Sequence, residues 1–313
     1  MTSRITVVIP CYNAESHIAC ALESVLRQTR APDEIIVVDD HSTDRTVDVV
    51  SRFPVRLISL EANSGHAVAR NVGIEAASGQ LIAWLDADDY WEDNHLEVVA
   101  GLLDTYSDAA VACSSVRFVG SRSGQWITTF GENGPVDVFR ECLRGTIVPA
   151  MSAITRRDAL LRVGGFNGAI RVAPDYDLWL RLALEHLFVS TSRITANYRW
   201  SDGQISARPW RQGLSVLDSR LAMAAHLRSC GRSELAAEAD RLSLSHWDCE
   251  MWNAWSGGNM SYLRALLRLR KRMPSSTETY ARMRRRSWMG PWLARLAQSV
   301  MSICNRASSR AEV

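Results

Sequence analysis

The sequence lacks the features that mark membrane-spanning, secreted and disulfide-stabilised proteins. No apolar run reaches the roughly 18 residues of a transmembrane helix, and the first residues enter a strand pattern without the layout of a signal peptide. The 7 cysteines are odd in number and scattered, and no two have the C-x-x-C spacing of a structural zinc site. These absences predict a cytoplasmic protein with free thiols.

An excess of charge of one sign is also missing. The 36 basic residues nearly balance the 34 acidic ones, so the chain as a whole does not have the character of a nucleic-acid-binding protein. The charge is uneven, however, because from Arg264 onward only Glu278 and Glu312 oppose a series of arginines. What the sequence does contain is 47% hydrophobic residues over 313 positions, enough to bury a sizeable core.

Strand-like and helix-like patterns alternate over the first hundred residues. Between strand-like runs, apolar residues recur at helical spacing, as in Ile18, Leu22 and Val25. This alternation predicts an α/β fold, with a Rossmann-like, mostly parallel sheet and helices on both faces, followed by a helical C-terminal extension beyond about residue 208. The predicted strands are residues 5–9, 34–38, 55–59 and 80–85, with a further candidate at 109–119.

Polar clusters follow three of these strands, at residues 10–13, 39–41 and 86–89. Ligands of such sheets bind beyond the carboxyl ends of the strands, so the clusters are expected to converge on one edge. The DADD run at 86–89 holds three carboxylates in four residues, a density that suits a hard cation such as Mg²⁺ or Mn²⁺ bound together with substrate phosphates. The competing interpretation is a solvated turn that caps the next helix.

Three other positions also allow two interpretations. Asp40, with Asp39 beside it, either belongs to a turn before a helix cap or accepts hydrogen bonds from a base or a ribose. Arg70 either lies on an exposed helix face or pairs with a pyrophosphate. Asp175 follows Pro174 and is either a helix cap or a general base that deprotonates an acceptor hydroxyl.

Seven strings in order closely resemble the family-2 glycosyltransferases of the GT-A fold, which are inverting enzymes that use nucleotide-sugar donors. The resemblance runs from Ile5 to about Ser206, roughly two-thirds of the chain. Any one string is weak, whereas chance would have to reproduce the order and spacing of all of them. The strings are VVIPCYNAE, the DDHSTD run, GHAVARNVGI, LDADDYW, the VGGF run, DYDLWLRLA and YRWSDGQIS.

The resemblance implies a role for each matching residue. Tyr12 would stack on the base, Asp175 would be the catalytic base, and a Mg²⁺ or Mn²⁺ ion would be the cofactor. Asp86 and Asp88 would form the DxD motif that holds ribose and metal. The two carboxylates of the motif can equally be assigned to Asp88 and Asp89. The implied nucleotide-binding residues are Pro10, Tyr12, Asp39, Asp40, Arg70 and Asp86, and the implied metal ligands are Asp86, Asp88 and Asp89.

Two departures from the family pattern stand out. Pro174 occupies the place before the base where the family often has Glu, which puts in doubt how Asp175 is held. The family also often has a His shortly after the YR pair, where this chain has Trp200, Ser201 and Asp202. Asp202 is a candidate substitute for that His.

The implied function is a metal-dependent inverting glycosyltransferase that moves a sugar from a nucleotide sugar, expected to be a UDP-sugar, to a hydroxyl of a glycan or lipid-linked acceptor in cell-surface polysaccharide biosynthesis. The implied catalytic domain is residues 1–206, with a nucleotide half at about 1–105 and an acceptor half at about 106–206; residues 207–313 form the helical region. The alternatives are a non-catalytic GT-A scaffold, or another GT-A-like enzyme such as a nucleotidyltransferase. The clustered carboxylates disfavour the first, and the Asp175 string, with no Gly-rich phosphate loop near the first strand, disfavours the second.

The basic tail leaves two interpretations open. Trp288, Trp292 and Leu296 can fall along one side of a helix, preceded by the arginine cluster at 282–286. This segment either lies on the anionic inner face of a membrane or packs its apolar side on the catalytic domain.

Overall fold

Strand β1 (Ile5–Cys11) lies inside the sheet of the N-terminal unit and is fully buried. The structure is a computed structural model that describes residues 2–201 and 209–273. The chain divides into two compact units, Met1–Ala207 and Arg208–Val313. The strands that follow β1 are β2 (Glu34–Asp39), β3 (Arg56–Ser59), β4 (Leu81–Trp84), β5 (Tyr90–Trp91), β6 (Ala109–Gly120), β7 (Gly124–Trp126), β8 (Ala153–Arg156) and β9 (Leu187–Trp200).

Over the described residues the strands form one sheet in the order β3-β2-β1-β4-β8-β6-β9-β5, with β7 paired to β6. The expected parallel arrangement is found in β3, β2, β1 and β4. Beyond β4 the sheet becomes mixed, because β8 runs antiparallel to both β4 and β6, while β6 and β9 are parallel. The sequence shows the same change, since the regular strand–helix alternation that produces parallel neighbours ends near residue 105.

Helices cover both faces of the sheet, as expected. Successive side chains of β1 point to opposite sides, so the strand presents apolar residues to both layers of helices. Val7 and Ile9 pack in a core with Leu22. Val8 points the other way, where a Cβ at Gly73 would lie 2.3 Å from its side chain, so glycine permits this close approach. The helices of this unit are α1 (Ile18–Leu26), α2 (Thr46–Val50), α3 (His66–Ala76), α4 (His95–Thr105), α5 (Phe139–Arg144), α6 (Arg157–Arg162) and α7 (Pro174–Ala183), together with a short 3₁₀ turn at Ala150–Ser152.

The described part of the second unit is helical, as the sequence predicts. Its core includes Trp247, Met251 and Leu263, and the Trp247 indole N–H donates to the carbonyl of Leu266 over 2.9 Å. None of the described helices is both long and apolar enough to cross a membrane. The elements are α8 (Pro209–Ser229), α9 (Ser233–Ser256) and α10 (Met260–Arg268), followed by a 3₁₀ turn at Leu269–Arg272. Outside the described residues lie Asp202, the cluster at 282–286, Trp288, Trp292 and Leu296.

Candidate active site

The first site loop leaves the carboxyl end of β1. Pro10 is still inside the strand, and the side chain of Tyr12 is 49% exposed, which leaves its ring accessible to a ligand. Asn13 then takes a left-handed conformation, with φ 49°. Its backbone N–H donates to the Ser42 hydroxyl over 2.9 Å, and its side-chain oxygen accepts from the Thr43 N–H over 2.8 Å. The loops after β1 and β2 are therefore bonded to each other.

Two buried carboxylates end β2. Asp39 accepts from the backbone N–H of Ser42, three residues on, over 3.2 Å. Asp40 accepts from the N–H groups of Ser64 and Gly65, one on each oxygen, at 2.7 Å. Asp40 thus holds the entrance of α3 against the end of β2, and each of its oxygens keeps a second lone pair for a ligand.

Arg70 and Asp86 meet where α3 faces the end of β4. The Arg70 side chain is buried, and its guanidinium donates to the Asp86 carboxylate in a charge-assisted hydrogen bond. The guanidinium also lies 5.3 Å from the centre of the Phe166 ring, which makes an edge-to-face contact with Trp84. Arg70 is therefore held from two sides, by a charge and by an aromatic face.

Asn71 fixes that aromatic face, a role that the sequence did not reveal. Its side-chain oxygen accepts from the Phe166 N–H and its amide donates to the Phe166 carbonyl, each over 2.8 Å. Gly165 has φ 65°, and a Cβ at that position would lie 2.6 Å from the Asn71 oxygen. The VGGF run is thus a loop whose glycines allow its backbone to dock on α3. Two features of the sequence could have indicated this docking: the Asn beside Arg70 and the two glycines before Phe166.

The DADD run forms a turn that the last residues of β9 support. Asp86 and Asp88 are partly exposed, whereas Asp89 is 1% exposed. One oxygen of Asp89 accepts from the Arg199 N–H over 2.7 Å, and the other has no hydrogen-bond partner among the described residues. Burial raises the pKa of Asp89 well above its usual range, and the charges of Asp88 and Asp86 raise it further. The Arg199 side chain also donates to the Asp88 carbonyl over 2.9 Å.

The two partly exposed carboxylates fit a hard divalent cation. Mg²⁺ commonly takes one or two protein carboxylates and completes its shell with substrate phosphates and water, and Asp86 and Asp88 are that donor set. Asp89 is placed less favourably, since its carboxyl group is buried and supports β9. Within residues 2–201 and 209–273, no group of three or more His, Cys, Asp or Glu side chains forms a cage for a metal.

Asp175 lies in the first turn of α7, directly after Pro174 at the start of the helix. Burial raises the pKa of this carboxyl group, Asp86 raises it further, and Arg70 acts in the opposite direction. Arg70 and Asp86 are therefore close enough to Asp175 to act on its carboxyl group, although the three residues are far apart in sequence. Ala173, two residues before Asp175, has φ 51°, an uncommon conformation made more so by the proline that follows it.

His66 is a further member of the site that sequence reasoning missed. It begins α3, and burial lowers its pKa to about 4, helped by Arg70 and by Arg171 and opposed by Asp86 and Asp40. The imidazole is therefore neutral near pH 7. A single His in a helical string gives no sequence signal of this kind, because its neighbours in the site come from four separate segments.

Backbone strain coincides with the site. The non-glycine residues with positive φ in the described part of the chain are Asn13, His41 and Ala173. Each lies in a different loop of the candidate site, after β1, after β2 and before α7. Such conformations cost about 1–3 kcal/mol each and persist only where the surrounding structure enforces them, so their grouping supports a functional origin.

The chain matches known proteins over this same region. Residues 6–164 match the family described as glycosyl transferase family 2. A Bacillus subtilis (strain 168) protein named for teichuronic acid biosynthesis, TuaG, is 30% identical over 215 residues, which are 66% of this chain and 83% of the relative. The Escherichia coli protein WfgD, named as a UDP-Glc:α-D-GlcNAc-diphosphoundecaprenol β-1,3-glucosyltransferase, is 27% identical over 216 residues, 66% of this chain and 81% of WfgD.

Solved structures agree on the fold. The S. aureus TarS fragment 1–349, in complex with UDP-GlcNAc, superposes with a TM-score of 0.68 at 20% sequence identity, covering 87% of this chain and 82% of that one. At this identity the likeness concerns the fold alone, and it agrees with the mixed sheet and its two helical faces. The chain belongs to glycosyl transferase family 2: it is a glycosyltransferase with the GT-A fold, in a family whose members take the sugar from a nucleotide-sugar donor.

Proposed function

We propose that this glycosyltransferase moves a sugar, with inversion and with the help of Mg²⁺ or Mn²⁺, from a nucleotide sugar to a hydroxyl of its acceptor. The observation that carries the proposal is the meeting of Asp175, Arg70 and Asp86 at the carboxyl edge of the sheet. A carboxylate with a raised pKa beside a held ion pair suits a general base placed next to a donor site.

Each residue has a defined part in the proposed reaction. The acceptor oxygen forms a bond to the anomeric carbon as the bond from that carbon to the diphosphate breaks on the opposite face. Asp175 takes the proton of the acceptor hydroxyl, and the electron pair of the broken bond leaves with the nucleoside diphosphate. Asp88, with Asp86, would hold the metal ion, which when bound neutralises the charge of the leaving group.

The nucleotide half supplies the proposed recognition of the donor. The exposed Tyr12 ring would stack on the base, and Asp40, whose carboxylate anchors the α3 entrance, would accept a hydrogen bond from it. Asp39 and Pro10, at the ends of the same two strands, belong to the proposed nucleotide-binding set as well. We propose a UDP-sugar, because WfgD is named for UDP-Glc and the TarS structure contains UDP-GlcNAc.

The acceptor is proposed to be a glycan or a lipid-linked saccharide in the synthesis of a cell-surface polysaccharide. The names of TuaG and WfgD support this class, since one refers to teichuronic acid and the other to a diphosphoundecaprenol-linked sugar. Such an acceptor places the enzyme at the cytoplasmic face of the membrane. The arginine-rich tail is proposed to contribute peripheral contact with anionic lipid there.

A donor panel tests the core of the proposal. UDP-Glc, UDP-GlcNAc and GDP-Man are each incubated with the full chain in MgCl₂, in MnCl₂ and in excess EDTA, and thermal stabilisation and release of nucleoside diphosphate are measured. We expect one donor to stabilise the protein and to be turned over only with metal. No stabilisation by any nucleotide sugar would contradict the proposed function, and full turnover in EDTA would remove the metal from it.

The membrane contact needs a separate experiment. Vesicles of anionic and of neutral lipid are sedimented with the full chain and with a chain truncated before Arg282. We expect only the full chain to sediment with anionic vesicles, and its binding to weaken as salt rises, because each Arg near such a surface contributes about 1 kcal/mol. Equal sedimentation of both proteins would exclude the tail as the anchor.

A further inference from the structure

Arg171 is a cation at the site whose charge is not matched by an acid. It lies exposed in the segment between Phe166 and α7, four residues before Asp175. Its guanidinium takes part in none of the hydrogen bonds or ion pairs formed among residues 2–201 and 209–273. Arg70, by contrast, has its charge balanced by Asp86. An arginine without an acidic partner beside a ligand site is available to bind an anion.

The position of the Arg171 head group is set by Gly65. The Nη1 atom lies 2.6 Å from the point where a Cβ of Gly65 would stand, so the guanidinium rests directly against the glycine backbone. Gly65 has φ 94°, and its N–H donates to Asp40 over 2.7 Å. Arg171 therefore crosses from the segment that leads to the proposed base and reaches the loop that Asp40 holds on the nucleotide side.

The surroundings of His66 confirm how close these groups are. The imidazole, next to Gly65 in the chain, has its pKa lowered by the charges of Arg70 and Arg171 and raised by those of Asp86 and Asp40. Arg171 therefore lies within electrostatic range of the same imidazole as the proposed base-binding carboxylate Asp40 and the proposed metal-binding carboxylate Asp86. In a bound nucleotide sugar, the groups between the base and the metal are the ribose and the diphosphate, and the diphosphate is the anionic one.

We propose that Arg171 binds the diphosphate of the donor and stabilises the nucleoside diphosphate as it leaves. The inference rests on the proposed function and adds a residue that the family strings do not contain. A guanidinium can bind two phosphate oxygens in parallel, with hydrogen bonds about twice as strong as neutral ones.

The test compares nucleotides that differ in the number of phosphates. Calorimetric titrations of UDP, UMP and uridine into the full chain, with MgCl₂ and again with EDTA, are made for the wild type, Arg171→Gln and Arg171→Lys. Arg162→Gln serves as the matched control, because Arg162 is an exposed arginine that pairs with Asp158 on α6. We expect Arg171→Gln to weaken UDP binding about 10-fold to 100-fold and UMP binding clearly less, as for a lost charge-assisted contact. Arg171→Lys should lie between Arg171→Gln and the wild type, and Arg162→Gln should match the wild type.

Two results would overturn the inference alone. The first is a wild type that binds UDP while Arg171→Gln binds it within about twofold of the wild-type affinity. The second is an equal loss for UDP, UMP and uridine, which would place the effect of Arg171 at the base rather than at the diphosphate. A wild type that does not bind UDP would overturn the proposed UDP-sugar function, and this inference with it, so the two failures are distinguishable.

Discussion

Two regions of the sheet bury polar side chains in opposite ways. Where α4 packs against β6 and β9, His95 lies 2.7 Å from the Thr195 hydroxyl, which donates to Ser114 over 2.7 Å, and all three residues are buried. Their side chains are neutral and closed to solvent. At the catalytic edge the polar groups are charged, and Asp86, Asp88 and Asp175 remain partly open to solvent. The neutral network of the first region holds structural elements together. The crowded charges of the second region, which a ligand can reach, are suited to binding and chemistry.

The histidines of the two regions show the difference most directly. Burial alone lowers the pKa of His95 to about 3. Burial lowers the pKa of His66 only to about 4, where two arginines and two carboxylates act on it in opposite directions. A lowered pKa is therefore not in itself a sign of function. What indicates function is a group of nearby charges that the stability of the fold does not require. Of the two regions, only the catalytic edge has such a group.

The largest expected effect is that of Asp175→Asn, which removes the proposed base. Transfer should fall about 100-fold to 10,000-fold, the usual contribution of general base catalysis, while UDP affinity changes only a few-fold. Since a base works deprotonated and the pKa of Asp175 is raised, wild-type activity should fall with decreasing pH at a pH above the ordinary Asp value of about 3.9. Initial rates across pH and calorimetry with UDP measure both effects.

The control for this experiment is Asp158→Asn, which neutralises an exposed carboxylate in the first turn of another helix. It should leave transfer unchanged. Near-normal transfer by Asp175→Asn would mean that Asp175 is only a first-turn residue of α7 and not the base. The charged edge would then lack its proposed base.

The next effect is that of Asp88→Asn, which removes the proposed metal ligand at the DADD turn. Turnover should fall at least about 100-fold, because the metal contributes several kcal/mol of charge stabilisation, and the concentration of Mn²⁺ needed for half-maximal rate should rise. Asp93→Asn is the control, since Asp93 is exposed and pairs with Arg27. A metal requirement unchanged in Asp88→Asn would assign the ion to other residues.

The sequence predicts the nucleotide half of this fold well, and physical reasons explain why. The runs at 5–9 and 34–38 match β1 and β2 closely, because strands buried on both faces read as continuous apolar stretches. The antiparallel insertion of β8 between β4 and β6 was not predicted. Pairing between residues 71 to 75 positions apart, as in β4 and β8, follows from tertiary packing and leaves no periodic signal in either segment.

The site residues likewise fall into those that the sequence could predict and those that it could not. Asp40, Arg70, Asp86 and Asp175 belong to strings that topology brings to one edge, so the sequence could name them. Their individual roles remain predictions. His66 and Arg171 could not be named, because their meaning lies in contacts between loops of independent sequence. The sequence also gave no indication that Asp89 differs from Asp88, since only the β9 backbone distinguishes the buried carboxylate from the open one.

A smaller effect is expected for Asn71→Ala, which breaks the docking of the VGGF loop on α3. Two hydrogen bonds to the Phe166 backbone are lost, so the free energy of unfolding should fall by about 1–3 kcal/mol. The Phe166 ring should also support Arg70 less well, so kcat should fall as well. Urea unfolding and initial rates measure the two effects. Asn167→Ala serves as the comparison, since the exposed Asn167 side chain accepts one hydrogen bond from the Ala169 N–H and makes none to the described residues of α3. A loss of stability with unchanged kcat would mean that the support of Arg70 by the Phe166 ring does not contribute to catalysis.

The smallest effect on transfer is expected at His95, whose titration changes stability and tests the neutral region by itself. Its pKa is near 6.5 in the unfolded chain and about 3 in the folded one, so between these values only the unfolded state takes up the proton. As pH falls from 6.5 toward 3, this group should reduce the free energy of unfolding by about 1.4 kcal/mol per pH unit. His95→Gln removes the titrating group, so its stability should depend less steeply on pH, although it will be less stable at pH 7 because the Thr195 bond and the stacking on Trp91 change. Urea unfolding of both proteins at several pH values gives the two slopes. Equal slopes would mean that His95 takes up a proton in the folded state, and the network that it shares with Thr195 and Ser114 would then be a charged one like the catalytic edge.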